Sequence, residues 1–305
     1  MLKSTFLLAF ALAGALFIGG CNENTTDPVT GTKPNAPTAI MAQSASATSV
    51  KIKWTAPTGT FDNYHVKVMD GTTLVQEDKA VAKTATTYTA TGLTEGKAYS
   101  FEVMTVSGTE MSSAVKITWA PATRAGGTFR LYSGNNNTEG SGLNIFGTAA
   151  PSVKKVAEGA LWDICFDDDG GTFVGSPGQS RYVEEVADRL VFKQAPTQEA
   201  RLIFLGRLYT GINSLDEIYE SEDLSIIPAT SKFEEKLIDL ASVTDKTKGV
   251  GFVCRYKVDD DTRYYAKVVV KSDGTSIVRG SGSNAFIEVE VSYQKEKNVP
   301  YAKSN

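Results

Sequence analysis

The chain is predicted to be all-β, two antiparallel sandwiches in series, and three observations carry that prediction. Apolar residues recur at every second position over many short stretches, while long runs with a 3.6-residue period are scarce. Gly, Thr, Ser and Val abound, and clusters of Gly, Asn, Ser and Asp separate the alternating stretches as turns do. With 305 residues, the chain is long enough for two domains of ordinary size. The expected division is a leader over 1–20, a flexible stalk over 21–33, a first sandwich over 34–121, and a larger sandwich of jelly-roll type over 122–305.

The leader, MLKSTFLLAFALAGALFIGGC, begins with one positive charge at Lys3 and continues uncharged from Phe6 to Gly20. That run falls short of the roughly 20 apolar residues of a membrane-spanning helix and has the layout of a secretory signal. Ile18-Gly19-Gly20-Cys21 resembles the lipobox of bacterial lipoproteins, with Ile18 where Leu is commoner. The resemblance implies cleavage before Cys21, diacylglycerol on its thiol and an acyl chain (palmitate) on its new amino group. One acyl chain binds a membrane marginally at about 0.8 kcal/mol per buried methylene, whereas two or three hold almost permanently. Asn22 after the cysteine implies sorting to the outer membrane of a Gram-negative cell envelope. Asn22–Lys33 is polar and without apolar periodicity, as a stalk should be.

Cleavage removes one of the 31 Lys+Arg and none of the 35 Asp+Glu, so the mature chain is mildly acidic. It carries no basic block, which argues against a nucleic-acid partner. Of three cysteines, Cys21 is assigned to lipid. Cys165 and Cys254 lie in strand-like runs in an oxidising compartment, and two readings stand. Either a disulfide joins them across a long loop, or they are independent buried thiols.

Alternation is clear in the first sandwich. Val50, Ile52 and Trp54 point one way, and Tyr64, Val66 and Val68 repeat the pattern before an Asp70-Gly71 turn. Tyr99, Phe101 and Val103 follow, then Val115, Ile117 and Trp119. Pro34 and Pro37 at the entry, Trp54, Tyr64, and Leu93-Thr94-Glu95-Gly96-Lys97-Ala98-Tyr99 together resemble a fibronectin type III domain. The resemblance implies that Trp54 and Tyr64 fill the core and that Leu93 and Tyr99 form a tyrosine corner. Ser107-Gly108-Thr109-Glu110 stands where adhesive members carry Arg-Gly-Asp, so the expected role is a spacer.

Beyond it, Arg124-Ala125-Gly126-Gly127 is a candidate hinge. Strands are expected at Thr128–Tyr132, Leu143–Phe146, Leu161–Phe166, Arg201–Leu205, Gly251–Val258, Tyr264–Val270 and Phe286–Tyr293. Ser214-x-x-Glu217 and Ser231-x-x-Glu234 are spaced to cap short helices, although Lys236–Leu240 also suits a strand. Tyr265–Val268, Glu288–Gln294 and Pro300–Ala302 resemble C-terminal β-domains of uncharacterised bacterial lipoproteins, and no activity comes with that likeness. Trp162-Asp163-Ile164 and Phe166 loosely resemble haem-scavenging lipoproteins, but the paired histidines of that family are missing.

His65 is the single histidine, and its strand position alternates with Tyr64 and Val66, which places it towards solvent. That scarcity argues against a Ser-His-Asp or Cys-His nucleophile and against most zinc sites. Glu288 and Glu290 share a strand face, either as a glycosidase pair or as an ordinary wet face. Asp167, Asp168 and Asp169 cluster at a strand end, as do Asp259–Asp261, and are either calcium ligands or solvated turns. Tyr264, Tyr265, Trp162, Tyr209 and Tyr219 are candidates for a sugar-stacking platform or for core. Catalytic residues are not expected, and no cofactor beyond calcium and the acyl groups on Cys21 is called for. The expectation is a lipid-anchored envelope protein with a noncatalytic binding or structural role and an envelope protein or glycan as partner. The alternative is a carbohydrate-binding surface lipoprotein, with or without glycoside hydrolase activity.

Overall fold

A computed structural model describes residues 32–136, 138–147, 149–155, 161–168, 172–175, 202–206, 208–221, 237–259 and 261–299. Cys21 with the leader, Asp169, Ser231 and Glu234 lie outside the described residues.

The first sandwich has two sheets. One runs β1 (Thr38–Ser46), β2 (Ser49–Thr55), β5 (Thr87–Ala90). The other runs β4 (Thr73–Ala82), β3 (Asn63–Asp70), β6 (Tyr99–Ser107), β7 (Glu110–Met111), with β8 (Val115–Trp119) also on β6. The inward residues of β2, β3 and β6 share one core, in which the Trp54 and Tyr64 rings meet edge to face at 5.1 Å. Each such side chain contributes about 1.5–3 kcal/mol by leaving water. The Tyr99 hydroxyl accepts the Thr94 N–H at 3.1 Å and Leu93 is buried beside it, so the expected tyrosine corner is formed. His65 departs from expectation. It is 6% exposed, its Nε2 is 2.8 Å from Glu77 Oε1 and its Nδ1 is 3.5 Å from Met111 Sδ. Long side chains from β4 and β7 cover the face that alternation alone assigns to water.

The second unit is built on a large antiparallel sheet. Its order is β10 (Phe129–Tyr132), β20 (Phe286–Tyr293), β19 (Arg263–Lys271), β18 (Gly249–Lys257), β15 (Leu202–Leu205). Two short strands extend it, β9 (Thr123–Arg124) on β20 and β16 (Tyr209–Ile212) on β18. A smaller sheet covers one face, in the order β12 (Ser152–Lys154), β11 (Gly142–Asn144), β13 (Ile164–Asp167), β14 (Phe173–Gly175), β17 (Leu237–Asp239). Between them Phe252 and Cys254 of β18, Val268 of β19, Val289 of β20, and Ile164 and Phe166 of β13 form a common core. Ser214 precedes a 3-10 turn, Leu215–Glu217, whose Glu217 carboxylate accepts the Ser214 N–H at 3.1 Å, as the capping spacing predicts.

The disulfide reading is corrected here. Cys165 and Cys254 are both buried and no bond joins them. Cys254 faces the core between the sheets, whereas Cys165 alternates with Ile164 and Phe166 and so turns to the other face of its strand. Burial holds the Cys254 thiol well above its usual range.

The other face of the large sheet is buried as well. Val253, Tyr265 and Val269 join Ile212, Leu215 and Ile218 in a core continuous with that of the first sandwich. Polar bonds cross the same junction. Ala42 N donates to Ser221 Oγ at 2.7 Å, and Gln294 Nε2 donates to Pro121 O at 3.1 Å. Arg124 is no hinge. With Thr123 it pairs to β20, Ala125 N donates to Val291 O at 2.9 Å, and the Arg124 guanidinium lies 2.7 Å from Asp216.

Candidate functional site

The β18–β19 hairpin positions the site. Its register places Tyr256 opposite Tyr264, on the face that carries Cys254 and Ala266 into the core. The two half-buried rings sit 6.2 Å apart at an interplanar angle of 23°. Phe146 completes the row, 5.8 Å from Tyr256 and 6.5 Å from Tyr264.

Phe146 is held by its backbone. The wholly buried Asp163 carboxylate accepts the N–H groups of Ile145 at 2.5 Å and Phe146 at 2.8 Å through one oxygen. Asp163 is therefore a positioning residue. Ile145 is anchored in the core, and the next residue turns outwards into the cleft.

These rings floor an open cleft of about 640 Å³, completed by Gly147, Ala149, Ala150, Val258, Tyr293, Gln294 and Lys295. That volume falls in the range of small-ligand sites, and the lining mixes polar and apolar surface. Lys295 Nζ lies 3.4 Å from Glu95 of the first sandwich, so an amine and a carboxylate stand at the margin. A flat aromatic row beside hydrogen-bonding groups suits a ring with one apolar face and polar edges.

Of the rings named from sequence, only Tyr264 lines the cleft. Tyr265 points to the opposite face and into the junction core, and Trp162 is 1% exposed. Tyr219 is buried under the Lys53 amine, which lies 4.1 Å above its ring, and Tyr209 packs against the junction core. Sequence reasoning missed Phe146 and Tyr256 as site residues. A signal for Tyr256 was present, since a hairpin centred on the Asp259–Asp261 tip pairs residue 256 with 264.

The carboxylate candidates are engaged elsewhere. Glu288 is gripped by Arg130 at 2.8 Å and Arg279 at 2.7 Å, and Glu290 by Lys271 at 2.6 Å. The hydrogen bond from Arg130, reinforced by Arg279, holds the Glu288 carboxyl below its usual range, opposite to what a general acid needs. Asp167 is 1% exposed, and Asp168 accepts a hydrogen bond from the Ser133 hydroxyl. Among the described residues no group of three or more His, Cys, Asp or Glu is placed to hold a metal. At the other acidic tip Asp259 Oδ1 accepts the Asp261 N–H at 2.9 Å, an ordinary turn contact.

Residues 35–118 match the fibronectin type III domain family. The chain is similar to the fn3 domain of human collagen alpha-1(XX) chain, with 22% identity over 32% of this chain and 92% of that one, at a TM-score of 0.28. A computationally redesigned β-sandwich protein is 18% identical over 30% of this chain and 92% of its own, at a TM-score of 0.27. A structure described as that of a myokine is 19% identical over 29% of this chain and 99% of its own, at 0.26. No curated protein matches the chain.

Proposed function

We propose that this chain is a noncatalytic binding protein of the cell envelope, tethered through lipid on Cys21, whose second sandwich takes a sugar ring on Phe146, Tyr256 and Tyr264. The observation that carries the ligand class is the row of three aromatic rings along the floor of the cleft. A sugar stacks its axial C–H face on such rings and turns its hydroxyls to Lys295 at the rim. The carboxylates offered for hydrolysis from sequence, Glu288 and Glu290, are tied to cations and are absent from the cleft lining.

A glycan array probed with the intact soluble chain, begun after Cys21, tests the ligand class. Selective retention of saccharides that share one terminal ring is expected. An array without selective signal, alongside capture of an envelope protein by the same preparation, overturns it in favour of a protein-contact role. The tether is tested separately with a Cys21→Ser variant, which should lose metabolic palmitate labelling and sedimentation with envelope vesicles.

A further inference from the structure

Lys267 lies in β19 on the face turned towards the first sandwich, and its side chain is 0% exposed. Its neighbours on that face, Tyr265 and Val269, belong to the junction core. Three oxygens surround the amine, Glu220 Oε1 at 2.8 Å, Gln43 Oε1 at 3.0 Å and Ile218 O at 3.3 Å. Glu220 is equally buried, and its Oε1 also accepts the Ser44 N–H at 3.4 Å while its Oε2 has no hydrogen-bond partner among the described residues. Gln43 is held from its far end, where Nε2 donates to Asp216 O at 2.6 Å and leaves the carbonyl facing the amine.

We propose that this site forms an intramolecular isopeptide bond between Lys267 Nζ and Gln43 Cδ, which joins the two sandwiches covalently. Burial lowers the proton affinity of the Lys267 amine and raises that of the Glu220 carboxyl. Passing the proton from one to the other leaves a neutral amine, with a free lone pair, beside a carboxylic acid. With a C=O bond of about 1.23 Å, the Gln43 carbon lies within about 4.2 Å of Nζ, so a rotation of the side chains brings the lone pair onto it. Nζ then bonds to Cδ, Glu220 carries a proton from Nζ to Nε2, and the Cδ–Nε2 bond breaks to release ammonia. The carboxyl ends as it began, and no oxidant or further reactant enters. Exclusion of water from the pocket protects the adduct from hydrolysis, and fixed placement of the groups replaces a bimolecular encounter.

Peptide mapping of the intact chain, denatured and digested, tests the bond. A linked pair of peptides carrying Gln43 and Lys267, lighter than their sum by one ammonia, is expected in wild type. It should be absent from Lys267→Met and from Glu220→Gln. Separate peptides in wild type, with cleavage after Lys267 and Gln43 intact, overturn the proposal whether or not either variant folds. A Glu220→Gln chain that still carries the link removes Glu220 from the chemistry.

Discussion

Asp163 shows how one side chain sets a site it does not line. Its carboxylate oxygen gathers two successive N–H groups, and hydrogen bonds to a charged group contribute about 1.5–3 kcal/mol each. Asp163→Ala should therefore cost about 3 kcal/mol or more in urea unfolding and free the Phe146 segment, and an unchanged midpoint would contradict that role. Glu288 makes a pH prediction with a definite sign. Its folded pKa is depressed by the Arg130 hydrogen bond, so its contribution is present above the unfolded value of about 4.3 and is lost as pH falls through the depressed one. The stability gap between wild type and Glu288→Gln should be open at pH 7 and close in strong acid, and a gap that widens in acid would contradict it.

At the scale of elements, legibility follows where the information lies. Tyr64, Val66 and Val68 alternate cleanly because one side of β3 meets the core, so β2, β3, β6 and β8 were readable from period alone, whereas β1, β4, β5 and β7 were not. The contact at Tyr99 was legible through the resemblance of Leu93–Tyr99 to a fibronectin type III motif, which implies a tyrosine corner. Tyr99→Phe should cost about 1 kcal/mol by removing the acceptor of the Thr94 N–H, measured as a shift in the urea midpoint, while a neutral change would show that water replaces it. His65 was not readable, because Glu77 and Met111 cover it from other strands. Nor was the cleft. Phe146 and Tyr256 lie far apart in sequence, and only the fold brings their rings together. Glycine at position 96 likewise answers to a distant partner. Its φ of +72° suits glycine, and an added Cβ would collide with the Glu296 side chain.

At the scale of the molecule, the first sandwich is more than a spacer, because the large sheet is buried on both faces. Val268, Val269 and Val270 form an unbroken apolar run for that reason, two serving the core between the sheets and one the junction. A single cooperative thermal transition is expected for the intact chain, and two separated transitions would contradict the shared core. Removing residues 34–121 should leave Val253, Tyr265 and Val269 exposed and the remainder prone to aggregate. The most direct measurement is calorimetric titration of the intact chain with the strongest saccharide from the array, repeated on Tyr256→Ala. Loss of about 1.4 kcal/mol of stacking makes a tenfold weaker Kd the predicted result. Equal affinity in the two proteins would place the sugar elsewhere and remove the aromatic cleft as the binding site.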